Sequence, residues 1–464
     1  MTRARKKNDF LSQNAQYTRD VVDELGRVGR EGAVIAEAPP GAGKSTLTAS
    51  VAKTLLDEDR GLRLAIVTQT NEQADDLVTS LVERYRGLLV TRMVGSSTGP
   101  SPAIQALAGG RAVFVSNNSD DANALASRIV VSTARKWQYE RARAQTRGAA
   151  ASYPIALIDE AYQMRSDMLL GIAGMYERLF CVGDPGQLDP FTIVDDSVWK
   201  GLPYSPSRTA LGTLRAFHTD LRPLRLPTSW RLPPSAAGIV SSAFYPFAGF
   251  DAGTSSDERQ LVLGGPKRRR PGQSVDVEAV LDRAAGTGWC HVELDEKFTA
   301  RTDLELAATI SEIVVALLKR GATVVDERSP RGRPLTPDRV AVIAAHNDQV
   351  HAVRFALSQL GQDPDALVVS TANKIQGREY DVVVVWHPLA GRRDATAFHL
   401  EAGRMCVMLS RHRHACIVVN RAGAMRLLEE FPDSDPMFID EPEKFPDGWE
   451  ANHLVLKHLE NCKI

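Results

Sequence analysis

Short apolar runs rich in β-branched residues alternate along this chain with longer stretches of helical period. AVIAEA (residues 33–38) reads as a buried strand, and the period after it predicts a helix from Lys44 to about Leu56. LAIVTQ (64–69) predicts the next strand, and NEQADDLVTSLVERY (71–85) an amphipathic helix. IVVST (129–133), IALID (155–159) and RLFCVGD (178–184) predict further strands. Continuous apolar strands separated by helices indicate a parallel sheet covered by helices on both faces.

The pattern then restarts. HVELDE begins at His291, and a long helix is predicted over 303–321. RVAVIAA, ALVVST, DVVVVW and ACIVVN read as strands with helices between them. The fold class expected is therefore α/β with two domains, 1–225 and 226–430, meeting near the Pro-rich stretch 223–234, and a tail over 431–464 that ends in a short helix. Residues 95–102, 264–274 and 328–337 read as loops, and no short-period repeat is present.

Composition narrows the class. With 464 residues, 43% apolar and 24% charged, the chain can build more than one core and is neither disordered nor fibrous. The formal net charge of -1 excludes a uniformly basic binder, so a polyanionic partner would need a local basic groove. The five cysteines are scattered with no C-x-x-C pair, which argues against a zinc site or disulfide framework and suits a reducing, cytoplasmic setting. No apolar run could span a bilayer, and the basic start MTRARKKNDF lacks the apolar stretch of a secretory signal. That start and the KRRR run at 267–270 read as solvated charge.

Chemistry enters at APPGAGKS, residues 38–45, placed between a predicted strand and a predicted helix. Glycines let the backbone wrap phosphates, and the helix start adds N–H groups and a favourable dipole. Pro40, Gly41, Ala42, Gly43, Lys44, Ser45 and Thr46 would cradle a nucleotide, with Lys44 on the terminal phosphates and Ser45 on Mg²⁺. Ala38 stands where the first glycine of this pattern is usual. IALIDEAYQ then delivers Asp159 and Glu160 to the C-terminal edge of the sheet, Asp159 for Mg²⁺ and Glu160 for the attacking water. LFCVGDPGQLDP brings Asp184 and Gln187 to the same edge, where Gln187 can sense the terminal phosphate; D-P-G alone is ordinary turn chemistry.

Taken with TQTNEQADDL, LPTSWRLPPSAAGIVSSAFY, VAVIAAHNDQV, VVSTANKIQGREYDVVVV and MCVMLSRHRHACIVVN, in this order over nearly the whole chain, these stretches resemble superfamily 1 helicases, most of all the up-frameshift and senataxin group. The resemblance implies two RecA-like P-loop domains in tandem with ATP in the interdomain cleft. It implies an ATP-dependent helicase or translocase that moves 5′→3′ on single-stranded DNA or RNA. It implies an adenine-reading glutamine at Gln16 (or Gln13), arginines facing the γ-phosphate at Arg231 and Arg411, and a coupling segment containing Gly377 and Glu379. Arginines are suited to this role because phosphoryl transfer needs positive charge placed on the transferring group.

The track is expected across the top of both domains, at Thr70, Asn71, Thr133, Thr371 and Asn373, whose hydroxyls, amides and backbone N–H groups can hold phosphates without reading sequence. Trp137 and Trp230 could stack on bases, although a tryptophan is more often core or cleft lining. Residues 87–129 leave room only for a small insertion. The short stretch before the phosphate loop leads to the expectation of a minimal monomeric motor core that depends on a protein partner for targeting, an idea that ready processive unwinding by the chain alone would count against. The other reading left open is an ATP-gated clamp on a strand, without net movement.

Overall fold

A computed structural model describes residues 3–110, 112–148, 153–190, 197–199, 202, 204–267, 275–299, 302–431 and 447–464. Helix α1 (Arg3–Arg27) leads into β1 (Ala33–Glu37), and α2 (Lys44–Glu58) follows directly. Then come β2 (Leu64–Thr68), α3 (Asn71–Arg84), β3 (Val90–Met93), β4 (Val113–Ser116), β5 (Ile129–Thr133), β6 (Tyr153–Ile158), β7 (Tyr176–Gly183) and β8 (Leu224–Arg225). These eight strands form one sheet in the order β4-β3-β5-β2-β6-β7-β1-β8, and its pairings are parallel.

Residues alternate faithfully between the two faces of this sheet. Val34, Leu64 and Ile66 join a core on one side, while Ile35, Ala65 and Val67 join a second core on the other. That division is what strands buried on both faces require, and it explains why they read as unbroken apolar runs.

Two-residue strands β9 (Thr228–Ser229) and β10 (Asp251–Ala252) pair with each other as the chain leaves the first sheet. The remaining strands are β11 (Gln260–Val262), β12 (Trp289–Leu294), β13 (Thr323–Val325), β14 (Arg333–Pro334), β15 (Val340–Ala344), β16 (Val368–Thr371), β17 (Tyr380–Trp386) and β18 (His412–Arg421). Five of them make a second parallel sheet, β12-β18-β17-β15-β16. Val383 and Val385 of β17 face one core, and Val382, Val384 and Trp386 the other. The fold is thus two RecA-like α/β units in tandem.

Three expectations need correction. Residues 87–129 are not an insertion: they supply β3 and β4 to the first sheet. β3 reads as polar because it carries Arg92, which is nonetheless buried, paired with Asp75 at 2.6 Å and with the Asn71 amide oxygen at 2.9 Å. The stretch 328–337 is not wholly loop, since β14 joins β11 and β13 in a small antiparallel sheet. The final helix, Gly448–Glu460, is part of the second unit, with Val455, Leu456 and Leu459 in its core. Trp137 is core, the commoner of the two roles weighed for it: it is fully buried, its indole N–H donates to the Ile66 carbonyl at 3.0 Å, and its ring meets Tyr153 edge-on. Of the KRRR run only Lys267 is among the described residues, and it pairs with Asp282 at the surface. No helix among the described residues is long and apolar enough to cross a membrane.

Candidate nucleotide site

The phosphate loop leaves β1 at the C-terminal edge of the first sheet, with β7 and then β6 beside it. Asp184 follows β7, and Asp159 and Glu160 follow β6, so parallel pairing alone gathers these carboxylates beside Lys44. Gly41 and Gly43 have φ of +75° and +94°, in the left-handed region where only glycine is unstrained. Helix α2 begins at Lys44 with no side-chain cap, which leaves its first N–H groups for a ligand.

The Ser45 hydroxyl donates to Asp159 Oδ2 at 3.0 Å. Lys44 Nζ lies 3.4 Å from Asp184 Oδ2 and 3.9 Å from Glu160 Oε1. Burial, and then the neighbouring charge of Glu160, pushes the Asp159 carboxyl up to about 7. Glu160 itself has a left-handed backbone, φ 52° and ψ 46°, a conformation that costs a non-glycine residue on the order of 1 kcal/mol or more and concentrates at functional sites.

The second unit closes the other side. Trp230 donates its backbone N–H to the Gly41 carbonyl at 3.0 Å, and the Ser229 hydroxyl donates to the Pro40 carbonyl at 2.6 Å. Arg231 stands beside Gly41, with its Nε 3.4 Å from Glu379 Oε2 and an Nη2 contact to the Gly377 carbonyl at 3.5 Å. Arg411 is fully buried. Burial, and then the charge of Arg231, lowers it to about 10, and its Nη2 has no hydrogen-bond partner. From the same unit the Tyr245 hydroxyl donates to Asp184, whose other oxygen accepts from Gln187 Nε2 at 2.6 Å.

Together these groups line one cavity of about 950 Å³ between the two sheets: Gly41, Gly43, Lys44, Ser45, Thr46, Asp159, Glu160 and Gln187 from one side, Arg231, Gly377, Glu379 and Arg411 from the other. Pro40 and Ala42 are buried behind the loop and do not line it. A cavity with a lysine and two arginines converging on a phosphate loop, and with an acidic floor, suits a nucleoside triphosphate.

A protein-family profile described as "AAA domain" matches residues 213–423. Among curated relatives, the regulator of nonsense transcripts 1 homolog of Drosophila melanogaster is 23% identical over 270 residues, 57% of this chain and 20% of that protein. The probable helicase MAGATAMA 3 of Arabidopsis thaliana is 25% identical over 292 residues, 62% of this chain and 31% of the relative. Regulator of nonsense transcripts 1 of Caenorhabditis elegans is 21% identical over 425 residues, 83% of this chain and 36% of its own length. The chain is thus similar to superfamily 1 helicases. It spans no more than about a third of the length of these relatives. Among solved structures, the arterivirus non-structural protein 10 (helicase) aligns with a TM-score of 0.43 at 15% identity, covering 84% of this chain and 60% of the other.

Gln16 does not reach the cavity. It sits on the exposed face of α1, its amide bonded to Asp20 at 2.7 Å and to Arg19 at 2.9 Å. Gln13 does not line the cavity either. Helical phase is the reason: Phe10 faces the cleft, and Gln16, six residues on, points about 120° away from it around the helix. Phe10 instead meets Trp230 edge-on, ring centroids 5.4 Å apart, at the mouth of the phosphate loop.

The residues expected to touch a strand divide. Thr70 and Asn373 line the outer part of the cavity. Asn71 gives its side-chain oxygen to Arg92, Thr133 caps the helix Ala134–Thr146 by accepting from Lys136 N at 3.4 Å, and Thr371 ends β16. None of these three lines the cavity.

Sequence reading missed several partners. Arg259 donates to the Trp230 carbonyl at 2.6 Å and pairs with Glu327 at 3.1 Å, while Arg413 pairs with Glu327 and, at 3.3 Å, with Glu379. Burial would raise both glutamates. The guanidiniums outweigh it, Arg259 and Arg413 at Glu327, and Arg231, Arg413, Arg328 and Arg339 at Glu379, and hold both near 2. No local pattern marks such residues, since they meet only in the fold. A buried trio, Asp326, Asp381 and His414, has the spacing of a metal site, but Arg333 and Arg339 already neutralise Asp381, and Arg413 approaches Asp326 at 3.6 Å.

Proposed function

We propose that this chain is a nucleic-acid-stimulated ATPase that moves along or remodels single-stranded DNA or RNA. One observation carries the reading: a single cavity gathers Lys44, Ser45, Asp159 and Glu160 from the first unit, and Arg231 and Arg411 from the second. We take the units as residues 1–225 and 226–430, with 431–464 completing the second. Lys44 holds the terminal phosphates and Glu160 orients the attacking water. Gln187 senses the terminal phosphate, and Arg231 and Arg411 neutralise charge on the transferring group. Phe10 and Trp230 offer ring surface to the base.

Mg²⁺ fits beside Ser45 and Asp159. Both offer hard oxygen donors 3.0 Å apart, and the Asp159 carboxyl, pushed up by burial and by Glu160, is eased by a nearby cation. Held by Ser45 and Asp159, the ion would supply positive charge against the phosphates. Because arginines and phosphate loop lie on different units, nucleotide binding favours a closed cleft and product release an open one, the change a motor needs.

The test is ATP hydrolysis by the chain with and without single-stranded DNA or RNA. Severalfold stimulation supports a motor, and the more effective polymer names the track. Hydrolysis indifferent to both, with Mg·ATP still bound, would replace the motor by an ATP-gated clamp. Displacement of a labelled strand from duplexes tailed at either end tests the 5′→3′ direction.

A further inference from the structure

An unbroken chain of side-chain amides joins the first turn of α3 to Glu160. Gln73 Oε1 accepts from the backbone N–H of Gln69 at 3.0 Å and of Thr70 at 3.1 Å. Gln73 Nε2 donates to Gln163 Oε1 at 3.1 Å, and Gln163 Nε2 donates to Glu160 Oε2 at 3.3 Å. The direction of this chain is fixed at both ends. Two backbone N–H groups demand an acceptor from Gln73, so its NH₂ must point away from them. A carboxylate can only accept, so it demands the NH₂ of Gln163. Neither amide can turn over without opposing like atoms, and a change at one end is therefore felt at the other.

Both ends of this chain of amides line the one cavity. Thr70 is the N-cap of α3, in a capping box with Gln73, and it lines the outer part of the cavity. Glu160 lies on the floor, its other oxygen 3.9 Å from Lys44 Nζ. Gln73 lines this cavity beside Thr70, and Gln163 does not.

We propose that Gln73 and Gln163 are positioning residues that relay strand contact at the Gln69–Asn71 turn to Glu160, and so set how strongly a strand stimulates hydrolysis. This rests on the proposed function above. A phosphate taken up by the Thr70 turn draws on the same N–H groups that hold Gln73. Moving that amide resets Gln163 and the carboxylate oxygen it holds. The carboxylate then aligns on the attacking water.

The test uses the full chain at saturating single strand, with strand affinity measured separately by anisotropy. Gln73→Glu keeps an acceptor for the two backbone N–H groups, and glutamate is the ordinary partner in a capping box, so α3 keeps its cap. It removes the donor to Gln163. Gln163→Met removes the second link. The expected result is that the ratio of stimulated to strand-free turnover falls towards 1 in each variant, with the thermal midpoint and strand affinity retained. The double variant should be no worse than either single one, because a broken chain cannot break twice. Wild-type stimulation ratios in both variants, or additive losses in the double, overturn the relay while leaving the ATPase reading intact. A wild-type chain that no strand stimulates overturns both.

Discussion

Arg231 stands directly against Gly41 of the phosphate loop: a Cβ on Gly41 would lie 2.2 Å from the Arg231 Cβ. The second unit thus rests on the loop that holds the phosphates, with main chain touching main chain. Gly41→Ala meets both this contact and the strain of φ +75°, which costs an L-residue roughly 1–2 kcal/mol. The expected outcome is a folded chain with a lowered melting temperature and a larger loss in kcat than in nucleotide affinity. Equal kcat in Gly41→Ala and wild type would show that the units need not approach this closely.

Glu160→Gln should bind Mg·ATP and turn it over about 10²–10⁴-fold more slowly, the usual contribution of a positioned general base. It should also change how stability depends on pH. In the wild type Asp159 is raised to about 7, so between its ordinary value and 7 the folded chain binds more protons than the unfolded one, and stability falls as pH rises. Removing the charge of Glu160 removes one cause of that shift. Melting curves without Mg²⁺ should therefore be flatter from pH 5 to 7 in the variant; identical slopes would contradict the coupling.

The ion network around Arg231 predicts the opposite slope at lower pH. Glu327 and Glu379 are held near 2 by their arginines despite burial. A carboxylate with a depressed pKa contributes stability fully above its ordinary value near 4.5, and that contribution is lost as pH falls towards 2. Glu327→Gln should lower the melting temperature at pH 7 and narrow its gap from wild type as the pH drops to 3. A gap that stays constant would mean that the pairs contribute no net stability.

Two tryptophans should separate cleanly. Trp137→Ala removes a buried ring and a hydrogen-bonded indole and should cost about 3–5 kcal/mol in stability. Trp230→Ala opens the cavity wall beside Phe10 and should weaken nucleotide binding with little change in unfolding. Fluorescent-nucleotide titration and denaturant unfolding on both variants check this.

Much of the nucleotide site was legible because each motif sits at the end of a run that must be a buried strand. The apolar stretch before Asp159, the one before Asp184 and the glycines before Lys44 place those groups on one edge once the pairing is parallel. β3 was not legible because its central residue is Arg92, whose burial depends on Asp75 and Asn71 in α3. The small sheet of β11, β13 and β14 was hidden by strands of two or three residues. Gln16 failed through helical phase, a matter of where α1 docks rather than of residue type. The T-x-x-Q spacing of Thr70 and Gln73 did carry a capping signal, but its extension to Gln163 appears only when β2 and β6 lie side by side.

The central claim is that one reaction site is shared by two units, and Arg411 tests it most directly, since it is buried, retains an unused donor and belongs wholly to the second unit. The measurement is strand-stimulated ATP turnover by Arg411→Ala beside Lys44→Ala, with Mg·ATP affinity determined separately for each. The account predicts that Arg411→Ala still binds Mg·ATP while kcat falls by about 10³, the scale of an arginine finger, whereas Lys44→Ala loses both binding and turnover. Turnover at the wild-type rate in Arg411→Ala would contradict it, because hydrolysis would then belong to the first unit alone.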